Sequence, residues 1–172
     1  MAEEILQLVD EDDKPIGGAS RKEIKTKGLL HRIVRITLED ELGNILLQKR
    51  VKTKDTYPGC WDTAAAGHVD VDEDYLTAAK REMGEEIGVK DIELEEILYY
   101  RSQTTAPNGM ILNRFTKLYR GIIPHDLVLR FQETEVETAA WFSRSELAEL
   151  VKKSDEVTDG IFQTYERYYK TT

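Results

Sequence analysis

The chain is 172 residues long, 40% hydrophobic and 33% charged, so it is globular rather than disordered and long enough to bury a core as one domain. A formal net charge of −9 argues against a nucleic-acid polymer as main partner, since that binding needs basic surface, but leaves a small phosphorylated ligand open. The lone cysteine, Cys60, excludes an intrachain disulfide; with no basic leader and no run near the roughly 20 apolar residues of a membrane span, a cytoplasmic protein without membrane contact is expected.

Residues 4–10 and 14–18 read as a hairpin around a polar turn at 11–13. Ser20 then opens a short helix ending near Gly28, with Glu23 placed for a capping box. Residues 31–38 alternate as a strand, with Ile33, Arg35 and Thr37 on one face and Val34, Ile36 and Leu38 on the other. A polar turn at 39–44 leads to a second strand at 45–50, then a basic and polar loop at 52–58. Ala64-Ala65-Ala66 before Gly67 would let backbones pack closely.

The spacing predicts the strongest helix over 70–87. Asp70 caps it, Glu73 returns the bond, and Asp72, Glu73 and Asp74 load the positive end of its dipole. Leu76, Ala79, Met83 and Ile87 recur at core-facing spacing, and Gly88 supplies the stop. Strands are expected at 92–101, 110–123, 127–131 and 139–142, and helices at 143–153 and 160–170. Strands interspersed with helices, without regular βαβ alternation, point to a mixed-sheet α/β sandwich.

On the strongest helix Glu82, Glu85 and Glu86 stand at i, i+3 and i+4 and share one face, roughly opposite the apolar stripe, with Lys80 and Arg81 on the flank. A solvated acidic face is the ordinary outcome of such a run. Three crowded carboxylates also repel unless a cation is near, and hard oxygen ligands suit Mg²⁺ or Mn²⁺ beside phosphate oxygens.

The surrounding text resembles the Nudix box at every specified position. Gly67 is followed after five residues by Glu73, after seven more by Arg81-Glu82-Met83, then by Glu85-Glu86 and Gly88-Val89. The flanking strands extend the likeness over about 29–150, between an N-terminal hairpin and helix at 1–28 and a C-terminal helix at 158–170 in the same single domain. The resemblance implies a Nudix-type α/β/α sandwich with a mixed β-sheet. It also implies Mg²⁺- or Mn²⁺-dependent hydrolysis of a diphosphate linkage in a nucleoside diphosphate derivative or related small molecule. Carried over residue by residue, Glu82, Glu85 and Glu86 become metal ligands and the Gly67 carbonyl a further one. Arg81 would orient the carboxylates, and Glu73 would brace the loop–helix unit.

A second run is similar to isopentenyl-diphosphate isomerase, a Nudix-fold enzyme: His31, Arg50, Lys54, Pro58-Gly59-Cys60-Trp61, Gly67-His68 and Glu133-Thr134-Glu135-Val136. This likeness implies that Arg50 and Lys54 contact the diphosphate and that Glu133 reaches a metal. His68, a metal ligand in the isomerase, is read as a substrate contact because that ligand set is broken here. Glu135, on a loop facing the box, is the second choice of general base, as Nudix hydrolases vary in where that base lies. Solvated loop charges are the other reading of Arg50 and Lys54, and His31 and His68 are open between metal ligation and hydrogen bonding. Two departures point away from isomerisation. Ala66 stands where the isomerase needs its cysteine, and Ile24 stands where it has a metal-binding histidine. The reading is therefore an isomerase-like branch that hydrolyses, with an altered isomerase and a catalytically silent nucleotide-binding domain as alternatives. Cys60, Trp61 and Trp141 are expected to pack, and His125 to be exposed. The apolar positions of 160–170 fit packing on the domain or in a homodimer.

Overall fold

The computed structural model describes residues 3–172. Strands β1 (Ile5–Val9) and β2 (Pro15–Ser20) form the expected hairpin, followed by helix α1 (Arg21–Lys27). Ser20 accepts from the Glu23 amide, but the Glu23 carboxylate pairs with Lys27, so only half of the capping box forms. Then come β3 (His31–Glu39), β4 (Ile45–Arg50), β5 (Trp61–Thr63), β6 (Ala65–His68) and helix α2 (Tyr75–Ile87). They are followed by β7 (Glu95–Thr105), β8 (Ile111–Ile122), β9 (Val136–Phe142), α3 (Arg144–Leu150) and α4 (Asp159–Thr164), which runs into a π-helical turn at Tyr165–Tyr169.

β3 is the axis. It pairs in parallel with β8 along its whole length, and β7 extends the sheet antiparallel beyond β8. Its other edge is shared: residues 33–36 pair with β6, and only Leu38 and Glu39 pair with β4. β4 then continues alone to β5 and β9. The sheet splits where β3 changes partner, and the split is where a cleft opens.

The alternation of β3 sets the layers, as its period of two dictates. Val34, Ile36 and Leu38 pack under α2 with Ala78, Ala79, Met83 and Ile87. On the other face Ile45 and Leu47 pack with Leu147, Leu150, Ile161 and Tyr169 of the C-terminal helices. Helices on both faces of a mixed sheet give the expected α/β/α sandwich. Arg35 and Thr37 point away from α2; Thr37 Oγ1 lies 2.5 Å from the Tyr169 hydroxyl.

Several local expectations are corrected. The long helix starts at Tyr75, not at residue 70, because Asp72 adopts φ +65°, which a right-handed helix cannot contain. Asp74 is the cap, accepting from the Thr77 amide. Glu73 does accept from the Asp70 amide, at 3.1 Å, but within a turn. Leu76 is exposed, and Tyr75 takes the buried position instead. Residues 127–131 form no strand: Arg130 and Gln132 donate their amides to the Ile87 and Glu86 carbonyls, closing the C-terminal end of α2. The short strands β5 and β6 were not expected, and residues 160–170 divide between α4 and the π-helical turn.

Candidate active site

Gly67 and Glu82 fix the geometry of the site. A Cβ on Gly67 would lie 2.0 Å from Glu82 Cδ, so only glycine lets this carboxylate lie against β6. One turn further on, Glu86 Oε2 accepts from Gln48 Nε2 at 2.6 Å and from the Ala66 amide at 3.1 Å. Both carboxylates are buried, which corrects the expectation that all three glutamates lie opposite the packed side; Glu85 alone is exposed. Burial pushes Glu82 up to about 7 despite its ion pair with Arg81. Burial, reinforced by the neighbouring Glu82 charge, pushes Glu86 up to about 8.

Arg81 binds the pieces together. Its Nε and Nη2 donate to the two Glu73 oxygens, each at 2.9 Å, and Nη2 also donates to the His68 carbonyl at 3.0 Å. Nη1 donates to Glu82 at 2.8 Å and lies 3.5 Å from Glu85. Although burial opposes it, this bidentate pairing holds Glu73 below the usual carboxylate range. One guanidinium thus joins the turn, the strand and the helix.

The carboxylates open on a cleft of about 270 Å³ that is also lined by Gly67, His68, Arg50, Lys54 and Glu135. Arg50 donates Nε and Nη2 to the Thr56 carbonyl and lies 3.7 Å from Asp62, while Lys54 pairs with Glu135. Neither cation is a free loop charge. Glu133 is exposed and does not line the cleft. His31 and His68 sit together in it, with ring centroids 5.4 Å apart. Burial, with Arg114 and Lys25 nearby, holds His31 down to about 4; burial and His31 hold His68 well below its ordinary value. Both rings are neutral at pH 7.

Among the described residues, no three His, Cys, Asp or Glu side chains are already gathered closely enough to hold a metal ion. Arg81 engages Glu82, and Gln48 engages Glu86. The donor chemistry nonetheless fits Mg²⁺ or Mn²⁺: buried carboxylate oxygens short of positive charge, beside a backbone that Gly67 leaves uncovered.

The sequence reading missed the floor of the cleft. Arg35 Nη1 donates to Asp62 at 3.0 Å, Arg114 pairs with Asp159, and Asp159 accepts from Thr104 at 3.0 Å. All but Thr104 line the cleft, together with Arg21 and Lys25. The available signal was an arginine among the apolar positions of each of two strands, Arg35 of β3 and Arg114 of β8, both of them buried. Ile24 and Ala66 also line the cleft, whereas the Cys60 thiol faces the Pro58 and Asp155 carbonyls outside its lining. Trp61 packs edge-on against Phe142, Trp141 stacks on the exposed His125, and no helix among the described residues is long and apolar enough to cross a membrane.

A split mixed sheet between helical layers, with a glutamate-bearing helix locked by arginine to a glycine strand, defines a Nudix-type protein, and residues 29–164 match the NUDIX domain model. The chain belongs to the Nudix family. An isopentenyl-diphosphate Delta-isomerase of Photorhabdus laumondii is 34% identical over 90% of this chain and 86% of its own length. A Nudix hydrolase of Pseudomonas aeruginosa is 35% identical over 84% and 81%, and the Nudix hydrolase YfcD of Escherichia coli K12 is 33% identical over 84% and 76%. These relatives place the chain on the isomerase-like branch. The crystal structure of DR0079 from Deinococcus radiodurans shares the fold, with a TM-score of 0.79 at 22% identity over 96% of this chain and 99% of that one.

Proposed function

We propose that this protein is a divalent-metal-dependent hydrolase that cleaves a diphosphate linkage in a small molecule, such as a nucleoside diphosphate derivative. The observation that carries the reading is the Glu82 carboxylate lying where Gly67 has no side chain, within an otherwise complete Nudix box. Glu82, Glu85 and Glu86, with the Gly67 carbonyl, would hold Mg²⁺ or Mn²⁺. When bound, the metal would supply charge stabilisation to phosphoryl oxygens and to the water that attacks them. Arg81, braced by Glu73, positions the Glu82 carboxylate. Arg50, Lys54 and His68 line the path of the diphosphate. In the reaction a water oxygen bonds to phosphorus, the bridging P–O bond breaks with its electron pair on the leaving phosphate, and the water proton passes to a carboxylate. Glu135 is the second-tier candidate for that base, released from Lys54 as the cation turns to substrate.

The isomerase reading is supported by the similarity to the Photorhabdus protein and by the isomerase-like run of residues between His31 and Val136. Against it, Ala66 and Ile24 face the cleft without proton-transfer or ligating capacity, and no thiol lines it. The test is a panel of nucleoside and non-nucleoside diphosphates, assayed with Mg²⁺ and with excess chelator for release of phosphate or monophosphate. An isopentenyl diphosphate sample in deuterated buffer belongs in the same panel. Chelator-sensitive hydrolysis without deuterium incorporation is expected. Full activity in excess chelator, or clear deuterium incorporation by the wild type, overturns the reading.

A further inference from the structure

The lining of the cleft is electrically divided. One wall carries Glu4, Glu82, Glu85 and Glu86 with Arg81 as their cation. The floor carries three guanidinium groups, Arg35, Arg50 and Arg114, and only two carboxylates, Asp62 and Asp159. Beside it, Arg21 and Lys25 share the single carboxylate of Asp55, and Lys54 is balanced by Glu135. The floor therefore holds an excess of buried positive charge, a state costly in a protein interior unless an anion arrives.

Arg114 is the centre of that excess. It is 8% exposed; among the described residues it pairs only with Asp159, through Nη2, and its buried Nε has no hydrogen-bond partner. In the parallel register it stands beside His31, whose neutral ring supplies no counter-charge. Its surroundings close the space: His31 is 3% exposed, Arg35 and Asp62 4%, and Gly160 packs so tightly on Arg35 that a Cβ there would meet Nη1 at 1.8 Å. A group that reaches Arg114 from the cleft meets these packed side chains ahead of it, which suits the end of a ligand better than its middle.

We propose that Arg114 binds a free terminal phosphoryl group, so that the substrate is a phosphoanhydride with one unesterified end rather than a diphosphate esterified at both ends. The assignment rests on the hydrolase reading for the position of the anhydride, with one phosphoryl at the glutamate wall and the terminal one at the floor. Asp159 holds Arg114 in place for it, and the terminal dianion supplies the charge that the two aspartates leave unmet.

The test is equilibrium binding, so it does not depend on turnover. Two non-hydrolysable probes differ only in their ends: methylenediphosphonate, and its diester with one methyl on each phosphonate. Each is titrated by calorimetry in Mg²⁺ at pH 8 into wild type, Arg114→Met and Glu82→Gln. Wild type is expected to bind the free diphosphonate roughly tenfold or more tightly than the diester, in line with charged hydrogen bonds. Arg114→Met should abolish that preference by weakening the free form and leaving the diester within about twofold. Because Arg114→Met leaves Asp159 with only Thr104 and the more distant Arg35, Arg114→Met/Asp159→Asn serves as the folded alternative, checked by its melting curve, and should behave alike. Glu82→Gln should weaken both probes equally. If Glu82→Gln changes neither while the Arg114 effect persists, the metal reading fails and the subsite stands. Equal wild-type affinity for the two probes, no binding of either, or a preference that survives loss of Arg114 overturns the proposal.

Discussion

Glu86 sits where its surroundings would not offset a negative charge. Two neutral donors, Gln48 and the Ala66 amide, meet one of its oxygens, and burial raises its pKa to about 8. Such a group gains most from a divalent cation and least from being charged in the metal-free fold. Glu86→Gln keeps an oxygen for both donors, so the melting temperature without metal should be equal to or above that of wild type. Turnover on any diphosphate substrate found should fall roughly 10³-fold, about 4 kcal/mol of transition-state stabilisation. Near-wild-type turnover in saturating Mg²⁺, with an unchanged melt, would remove Glu86 from the metal set. At this scale the sequence was informative where chemistry repeats at short spacing. Gly67, Glu73, Arg81 and Glu82 meet across at most 15 positions, and Arg81 contacts both Glu73 and Glu82, as the Nudix resemblance implied. It was silent on burial, because a helical face says which residues share a side but not what covers it. Glu82 and Glu86 are covered by β6 and β4, elements that lie near them only after folding.

Helix α2 shows how one residue outside the allowed helical region moves a boundary. Asp70 and Asp74 are both of a residue type that caps helices, and only Asp70 is followed within a turn by acidic residues. The left-handed backbone at Asp72 decides between them, and Asp74 receives the Thr77 amide at 2.9 Å. Asp74→Ala should therefore cost about 1 kcal/mol in urea unfolding, the usual worth of an N-cap, and Asp70→Ala no more than about 0.5 kcal/mol. Equal losses from the two changes would restore the longer helix. Strands β5 and β6 escaped notice for a related reason. At three and four residues, and with Ala65-Ala66-Gly67 in one of them, they carry no alternation to read. Their pairing comes from β4 and β3, and from the split between those two strands. The segment 127–131 is the converse case, apolar enough to read as a strand yet recruited to satisfy the carbonyls at the end of α2.

Across the whole molecule, a mixed-sheet α/β sandwich was legible because β3 alternates and α2 repeats at 3.6, so each announces the face it buries, while the α/β/α layering came with the Nudix resemblance. The ionic floor was not. Arg35 and Asp62 are 27 positions apart, and Arg114 and Asp159 are 45 apart, so nothing local links them. The same distant assembly buries His31, which gives the fold a pH signature. His31 is held down to about 4, first by burial and then by Arg114 and Lys25, against about 6.5 when unfolded. Between pH 6.5 and 4 the unfolded chain binds a proton there that the native state refuses. This contribution to stability is therefore complete above pH 6.5 and is lost as pH falls toward 4. Glu82 and Glu86 run the other way, since their raised values favour the native state as pH falls from about 8 toward their unfolded value, so the wild-type profile mixes both signs. A difference measurement separates them. In chemical denaturation without metal, the free energy of wild type minus that of His31→Gln should be flat above pH 7. It should then shift in favour of the variant by about 3 kcal/mol on going to pH 4, since the carboxylates are common to both proteins and cancel. A constant difference across that range would mean that His31 takes up its proton in the native state as freely as in water, and that the cleft floor is far wetter than its closed packing implies.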